Sequence, residues 1–219
     1  RYGEKRQALF EEAGRLHALR CAAAEELSHQ VEEQLRELDL KNARFRAEVE
    51  DLRSDTQTRF TKRGTDSVRF LLSANAGEDL KPLAKVASGG ELSRIMLAMK
   101  NVLSAGEEGI TSVFDEVDAG VSGRAASRVG EKLYAIARGR QVLCVTHLPQ
   151  LAAMADTHFS VEKGEANGRT FTQVRQLDRK QRQMELARLT GGAHVTETML
   201  QGAEELLTQA EKFRAEMPE

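Results

Sequence analysis

The sequence Lys85-Val-Ala-Ser-Gly-Gly-Glu-Leu-Ser-Arg94 runs directly into Ile95-Met-Leu-Ala-Met-Lys-Asn-Val-Leu103. In the second part, apolar residues recur three and four positions apart, which predicts an amphipathic helix that reaches about Ser104. Its predicted apolar face consists of Leu92, Ile95, Met96, Met99, Val102 and Leu103. Ser88 and Glu91 have the spacing of a capping box, in which the serine caps the helix and the glutamate reaches back to the cap.

Gly89 and Gly90 need a second explanation, because a capping box does not require them. Glycine in a helix costs about 1 kcal/mol relative to alanine, and here two glycines fall in the first turn. A helix start of the form Ser-Gly-Gly presents bare backbone N–H groups, a hydroxyl and the positive end of the helix dipole to a closely approaching group. The simplest such group is an anion such as phosphate, with an ordinary capped helix as the alternative.

The composition limits the kind of protein. The chain has 219 residues, of which 30% are charged and 5% aromatic, and its net charge is −2. This length allows one or two domains, and this charge does not indicate a dedicated nucleic-acid binder, although it leaves room for a local basic patch. Cys21 and Cys144 are the only cysteines, so we expect a reducing cytoplasm and neither a disulfide framework nor a zinc site. No long apolar run is present, so we expect no membrane span.

The first quarter of the chain has the pattern of one long helix. Residues 5–53 contain no proline, and apolar residues recur there with a heptad-like spacing that shifts once. A helix of about 50 residues would be about 75 Å long, which is too long for the following domain to cover. We therefore predict a coiled-coil arm over residues 1–55, with a solvent-exposed helix on a small bundle as the alternative. Because the chain begins at Arg1, inside this pattern and without a methionine, we expect it to be part of a longer protein.

Two short apolar segments flank a predicted helix in the middle of the chain. Ile110–Phe114 has the pattern of a buried strand and is followed by Asp115-Glu116, and Gln141–Thr146 has the same pattern and is followed by His147. Residues 124–138, between them, have helical periodicity. This order predicts a βαβ unit with parallel strands and a right-handed crossover. Ligands of parallel sheets bind at the carboxyl ends of the strands, where both acidic residues and the histidine would lie.

Other segments complete a mixed α/β pattern. They are predicted to be a strand over residues 66–73, a short helix from Pro149 to Met154, a hairpin over residues 157–163 and 170–177, and closing helices over residues 178–190 and 195–216.

An apolar strand that ends in Asp-Glu suits nucleotide hydrolysis. Asp115 can hold Mg2+ directly or through water, because hard cations prefer oxygen ligands. Glu116 can orient and deprotonate an attacking water, and a positioned general base contributes a factor of about 10²–10⁴ in rate. Taken alone, Asp-Glu is more often an acidic turn, and His147 a cap or a packed surface residue. Their combination with an anion-binding helix start, in this order along the chain, favours a site for phosphoryl transfer.

These motifs resemble those of ABC-type ATPases. Ser88-Gly89-Gly90-Glu91 looks like the ABC signature motif, and Ser112-Val-Phe-Asp-Glu116 looks like a Walker B strand with its catalytic glutamate. Val117-Asp-Ala-Gly-Val121 resembles the D-loop, and Thr146-His147 resembles the switch-histidine segment. Together with the long charged helix that precedes them, these strings are most similar to the RecN family of SMC-like DNA double-strand-break repair proteins.

The resemblance implies a fold and a division of the chain. The fold is α/β: one lobe of an ABC-ATPase head, with a P-loop-NTPase-like parallel sheet and helices, preceded by a long N-terminal coiled-coil helix. Residues 1–55 would be the returning strand of the coiled-coil arm, and residues 56–219 the C-terminal lobe of the head. The P-loop pattern G-x-x-x-x-G-K-[ST] is absent, because none of the 17 glycines is followed by lysine. In SMC-like proteins that loop lies in the N-terminal half, so this chain looks like the C-terminal half.

The resemblance also implies a composite site for ATP and Mg2+. An N-terminal lobe of the same protein would supply the P-loop, while Glu116 would act as the base, Asp115 as the magnesium-side carboxylate and His147 as the γ-phosphate sensor. In a head-to-head homodimer, the partner would present its own signature helix start, Ser88 to Glu91, to the γ-phosphate. Asp118 would help to join the two sites.

DNA as a partner, and a location at the bacterial nucleoid, are implied by the resemblance alone. Arg59, Lys62 and Arg63, or the run Arg179–Arg182, could touch DNA phosphates, although solvated charged surfaces are the commoner explanation of such clusters. Two alternatives stay open. One is the head half of another ABC-type repair or chromosome-structure protein, and the other is a coiled-coil scaffold that binds nucleotide without hydrolysing it.

Overall fold

The computed structural model describes residues 2–53, 58, 60–75, 77–85, 89–103, 109–166, 169–192 and 194–217. The chain forms two compact units, residues 1–105 and residues 106–219. In the described part, no helix combines the length and the apolar character needed to cross a bilayer.

The first unit is built from two helices and a small antiparallel sheet. In chain order, its elements are α1 (Tyr2–Glu37), β1 (Arg44–Asp51), β2 (Asp66–Ser73), β3 (Lys81–Pro82), a single 3-10 turn (Leu83–Lys85) and α2 (Gly89–Leu103). The strands lie in the order β1-β2-β3, and Arg44 of β1 is opposite Ser73 of β2. The predicted strand over residues 66–73 is confirmed.

The prediction of one helix up to residue 53 is wrong for its last third. The helix ends at Glu37, and Asp39 then takes a left-handed backbone conformation, with φ 65°, that turns the chain back. Residues 44–51 form β1 instead, in which Phe45 and Ala47 are buried while Arg44 and Arg46 are exposed. Alternation of this kind is the signature of a half-buried strand. The coiled-coil arm over residues 1–55 stays a prediction.

Side chains of α1 cover the edge of the sheet. The N–H groups of Phe45 and Ala47 donate to Glu32 Oε1 at 3.0 Å and to Ser28 Oγ at 2.9 Å, respectively. An uncovered strand edge would expose these groups to other chains. Nearer the end of the helix, Leu35 is fully buried. The C-terminal half of α1 is thus packed in the globular unit. In the first half Ala13 is buried, while Leu19 is 69% exposed.

The buried face of α2 is rotated from the predicted one. Ile95 and Met99 are buried as predicted, but Met96 is 40% exposed and Leu103 is 48% exposed. Leu97 and Ala98, which the predicted face omitted, are fully buried. The reason is that α1 packs against this side of α2, where Asn101 donates a hydrogen bond of 2.9 Å to Gln34.

The second unit contains the predicted βαβ arrangement. Its elements are β4 (Thr111–Phe114), α3 (Gly123–Ala137), β5 (Gln141–Cys144), α4 (Pro149–Met154), β6 (Phe159–Ala166), β7 (Arg169–Gln176), α5 (Arg179–Gly191) and α6 (Glu197–Glu216). Strands β4 and β5 are parallel, and β6 and β7 form an antiparallel hairpin. The predicted parallel pair, short helix, hairpin and closing helices are all confirmed.

The helices of the second unit pack through small residues. Gly130 of α3 lies against α4, so closely that a Cβ there would stand 2.9 Å from Met154 Cγ. On its other side, α4 joins α5 and α6 in a core cluster that includes Leu186 and Leu207. This packing holds α4, which begins two residues after His147, between α3 and the C-terminal helix pair.

Candidate active site

The carboxyl ends of β4 and β5 lie side by side. Phe114 is paired in register with Cys144, and the N–H of Val145 donates to the carbonyl of Phe114 at 3.0 Å. Asp115-Glu116 therefore leaves β4 at the same edge of the sheet at which Thr146-His147 leaves β5. This is the edge where ligands of parallel sheets bind.

A tight turn follows β4. The Glu116 N–H donates to Asp115 Oδ1 at 2.9 Å, and the Ala119 N–H donates to the Glu116 carbonyl at 3.1 Å. Glu116 has a left-handed conformation with φ 56°, which costs a residue with a Cβ about 1–2 kcal/mol. Val117 has no exposed surface, so its burial helps to compensate for that cost. Strain of this kind is concentrated at functional sites.

Asp118 joins this turn to the segment after β5. Its side chain is buried, with the residue 3% exposed, and its Oδ2 accepts hydrogen bonds from the Thr146 hydroxyl at 2.5 Å and the His147 N–H at 3.0 Å. His147 Nδ1 lies 3.1 Å from the same oxygen. The Thr146 hydroxyl in turn accepts a bond from the Leu148 N–H at 3.0 Å. One buried carboxylate therefore binds the backbone of the histidine and lies beside its ring.

The groups that would perform chemistry are open to solvent. Asp115 and Glu116 are exposed, and the His147 side chain is 73% exposed. This division, with exposed reactive groups on a buried support, is what a site for an incoming ligand requires. Burial, followed by the negative charges of Asp118 and Asp115, raises the pKa of the Cys144 thiol to about 12. Cys144 therefore stays neutral and is a packing residue of this site.

The carboxylates fit Mg2+ as a partial set of ligands. Among the described residues, no group of three or more His, Cys, Asp or Glu side chains could hold a metal ion by itself. Mg2+ is usually held by one or two carboxylates together with waters and substrate phosphates. Asp115, exposed at the sheet edge, can supply one such carboxylate.

The predicted anion-binding helix start belongs to the first unit. Ser88, the predicted capping residue, lies outside the described residues. Gly89 is the first residue of α2 and is exposed, Gly90 is buried, and Glu91 falls in the first turn. Asp115, Glu116, Asp118 and His147 all belong to the second unit.

Two arginines that the sequence did not single out for this role hold α4. Arg182 Nη2 donates to the carbonyls of Ala153 at 3.2 Å and Ala155 at 2.7 Å, and Arg214 Nη1 donates to those of Met154 and Ala155, both at 3.2 Å. Unpaired carbonyls and the negative dipole end make a helix C-terminus a favourable place for cations. The sequence did not predict these contacts, because the arginines lie on α5 and α6, far from α4 along the chain.

Several arginines of the clusters predicted to touch DNA make contacts within the chain. Arg179 pairs with Glu204 at 2.6 Å and also with Glu211, and Arg182 is bonded to backbone carbonyls. The carbonyl of Arg63 accepts a bond from Arg20 at 2.7 Å, and Arg59 lies outside the described residues. The two arginines of the 179–182 run therefore have roles within the fold.

Comparison with known proteins gives relatives of one kind. No protein-family model matches the chain. The chain is 46% identical to the DNA repair protein RecN of Halalkalibacterium halodurans over 93% of this chain and 36% of that protein. It is 41% identical to RecN of Bacillus subtilis over 93% of this chain and 37% of that protein. The chain thus spans about a third of the length of the curated relatives it matches.

Two solved structures that the chain matches in fold are SMC head domains. The chain matches an Smc head domain with a coiled coil and joint from Pyrococcus yayanosii, with a TM-score of 0.54 and 20% identity over 78% of this chain and 30% of that one. It matches an Smc head domain with an extended coiled coil from Pyrococcus furiosus, with a TM-score of 0.50 and 21% identity over 73% of this chain and 36% of that one. At these identities the similarity concerns the fold alone, and the predicted fold class is confirmed.

Proposed function

Because the resemblance to the C-terminal part of RecN is confirmed along 93% of this chain, we propose that the chain is the C-terminal half of an SMC-like ATPase of DNA double-strand-break repair. It works with a P-loop-bearing N-terminal lobe, and ATP binding and hydrolysis at the composite site drive dimerisation of the heads. DNA is the proposed partner of the complete protein, since the relatives are DNA repair proteins.

One observation carries the proposal for hydrolysis. The turn with Asp115 and Glu116 is tied through the buried Asp118 to His147, while the three groups of the proposed site stay exposed. A solvated acidic turn needs neither a buried carboxylate to anchor it nor a glutamate in a left-handed conformation. Both features are energetically unfavourable. A site that must hold its exposed groups in fixed positions toward a ligand explains why they are present.

In the proposed mechanism, each residue has a separate role. Glu116 orients a water molecule and accepts its proton, which is the part of the reaction that a carboxylate at this edge can perform. Asp115 contributes a carboxylate ligand to Mg2+, which would neutralise charge on the phosphates. His147 contacts the γ-phosphate through its exposed ring. Ser88, with Gly89, Gly90 and Glu91 of a second head, binds the same γ-phosphate from the other side, and Asp118 contributes to the junction of the two sites.

The second unit also has a surface that suits a missing lobe. Val113 of β4 and Leu143 of β5 are adjacent on one face of the parallel pair and are 67% and 48% exposed, and Val145 beyond β5 is 63% exposed. Parallel sheets normally have both faces covered. This bare apolar face supports the proposal that an N-terminal lobe covers it.

Replacement of Glu116 tests the assigned base. Glu116→Gln keeps the shape of the side chain and removes its proton-accepting charge. With the P-loop-bearing lobe present, we expect ATP turnover to fall by at least about 100-fold, while ATP-dependent dimerisation of the heads persists. Turnover is measured by phosphate release and dimerisation by light scattering.

Glu162→Gln, on the exposed hairpin, is the matched control and should leave turnover unchanged. Unchanged turnover in Glu116→Gln would rule out the assigned base. A wild-type two-lobe head that binds ATP without hydrolysing it would favour the scaffold instead.

A further inference from the structure

The buried carboxylate of Asp118 contacts the segment that follows β5. Its Oδ2 accepts from the Thr146 hydroxyl at 2.5 Å and the His147 N–H at 3.0 Å, and lies 3.1 Å from His147 Nδ1. From these contacts we propose that Asp118 and Thr146 are positioning residues, which together fix the backbone of His147, and through it the place of the ring, within one head before any nucleotide or second head is present. The consequence for turnover rests on the proposed function, whereas the consequence for structure does not.

The Thr146 hydroxyl donates one hydrogen bond and accepts another. Its hydroxyl has one hydrogen, which it donates to Asp118, and its lone pairs remain to accept the bond from the Leu148 N–H at 3.0 Å. Two successive backbone N–H groups, those of His147 and Leu148, are therefore held by Asp118 and Thr146. Valine has nearly the same shape but can make neither bond, and serine can make both.

The imidazole lies beside the same carboxylate, with Nδ1 3.1 Å from Asp118 Oδ2 and the side chain 73% exposed. The ring is therefore next to the buried support and open to a ligand from solvent. A histidine at the surface would otherwise lose rotational freedom when it binds, and pre-organisation removes that cost.

The burial of Asp118 explains why this support is firm. The residue is 3% exposed, and Val117 beside it has no exposed surface. A buried carboxylate is retained only where hydrogen bonds compensate for its desolvation. The two hydrogen bonds that Oδ2 accepts provide that compensation, so we expect the loss of either one to loosen the backbone at His147.

Amide hydrogen exchange, measured by NMR on this chain without nucleotide, tests the inference. In Thr146→Val, we expect the Leu148 amide to exchange about fivefold to tenfold faster, because it loses its acceptor. Thr146→Ser should restore the wild-type rate. Asp118→Ala, which has no acceptor, should accelerate exchange at His147. Thr208→Val, which removes a threonine hydroxyl bonded to the Glu204 carbonyl on α6, is the matched control and should change neither amide.

Unchanged exchange at Leu148 in Thr146→Val would overturn the inference, and so would equal acceleration at all amides of the unit, which would indicate general unfolding. Protection of both amides that appears only after ATP-induced dimerisation would also overturn it, because Asp118 would then act between heads.

A second measurement separates this inference from the proposed function. In the two-lobe head, Thr146→Val should lower kcat by about tenfold while the KM for ATP changes less, and Thr146→Ser should recover most of it. An effect on amide exchange with no effect on kcat would overturn the catalytic consequence. Absence of turnover in the wild type would contradict the proposed function alone, because the exchange experiment uses no nucleotide.

Discussion

The two cysteine thiols should differ in reactivity, because only Cys144 is packed in the proposed site. Burial and the charges of Asp118 and Asp115 raise the pKa of the Cys144 thiol to about 12, whereas Cys21 is exposed on α1. Since the thiolate is the reactive form, at pH 8 only about one in ten thousand Cys144 thiols is ionised. With a disulfide reagent at this pH, we expect one fast thiol, Cys21, and a second, Cys144, that reacts only as β5 opens.

Single substitutions assign the two phases of this reaction. Cys21→Ser should remove the fast phase and Cys144→Ser the slow one, and denaturant should make the two thiols equally reactive. Two thiols that react equally fast in the native protein would show that β5 and the turn after β4 are not packed as described.

At the residue scale, the sequence predicted which residues form the candidate site, but not the hydrogen bonds of Asp118 that hold them in place. Asp115, Glu116 and His147 end two predicted strands, so parallel pairing alone puts them at one edge. The hydrogen bonds of Asp118 depend on the turn that buries Val117 and brings the carboxylate under a segment 28 residues away in sequence. No local pattern contains that information.

At the element scale, the failed part of the long helix has a definite cause. Phe45 and Val49 are four residues apart, so they fit one face of a helix, but they also occupy alternate positions of a strand. Ala47, between them, is buried and decides for the strand. Because alanine is only weakly apolar, the alternation of Phe45, Ala47 and Val49 is hard to recognise in the sequence. The heptad pattern of the preceding residues was therefore continued past the true end of the helix.

The helix α1 is attached to β2 by a buried ion-pair cluster. Asp66 accepts a hydrogen bond from Arg20 at 2.8 Å, and His17 Nδ1 lies 2.8 Å from its other oxygen, with the Asp66 side chain 1% exposed. Burial alone would raise the pKa of Asp66, but the bonds from Arg20 and His17 outweigh it and lower the pKa. The cluster therefore stabilises the fold in the ionised form.

Asp66→Asn should lower the free energy of unfolding by about 1–2 kcal/mol at pH 7, because Arg20 loses its charge-assisted hydrogen bond to the carboxylate. The wild-type contribution is fully present above the unfolded pKa of about 3.9 and is lost as the pH falls through the lower pKa of the folded state. Urea unfolding at pH 7 and pH 3 measures both effects.

The difference between Asp66→Asn and the wild type should accordingly shrink at pH 3. Some acid sensitivity will remain in the variant, because the hydrogen bond from the Arg53 side chain lowers the pKa of Asp51 to about 2. Asp79→Asn, at an exposed position, is the control and should change stability little at either pH. A constant difference between pH 7 and pH 3 would contradict the assignment of the ionised form.

At the scale of the whole molecule, the chain is about a third of the length of its relatives, and its bare apolar surface lies at the proposed site. Val113, Leu143 and Val145 expose large fractions of their side chains on one face of β4 and β5. Composition alone could not reveal this surface, since buried and exposed valines look alike in a sequence. The exposed residues can be identified only from the structure, which shows which face of the parallel pair is covered.

Replacement of these three residues by threonine tests whether the face receives the P-loop-bearing lobe. Threonine keeps the β-branched strand preference at both valine positions and removes apolar surface. If binding buries the face, each substitution should cost about 1 kcal/mol, so the triple variant should bind the N-terminal lobe about 100-fold more weakly in titration calorimetry. The isolated variant should at the same time associate with itself less, because its apolar patch is smaller.

Met184→Thr provides the control for this experiment, since Met184 is 49% exposed on α5, outside the parallel pair. It should leave the affinity unchanged. Equal weakening by both variants would mean that the lobe does not recognise this face in particular, and an unaltered affinity in the triple variant would exclude the face from the interface. Loss of binding confined to the triple variant would show that the lobe packs against this face of β4 and β5, because the substitutions change only side chains on that face.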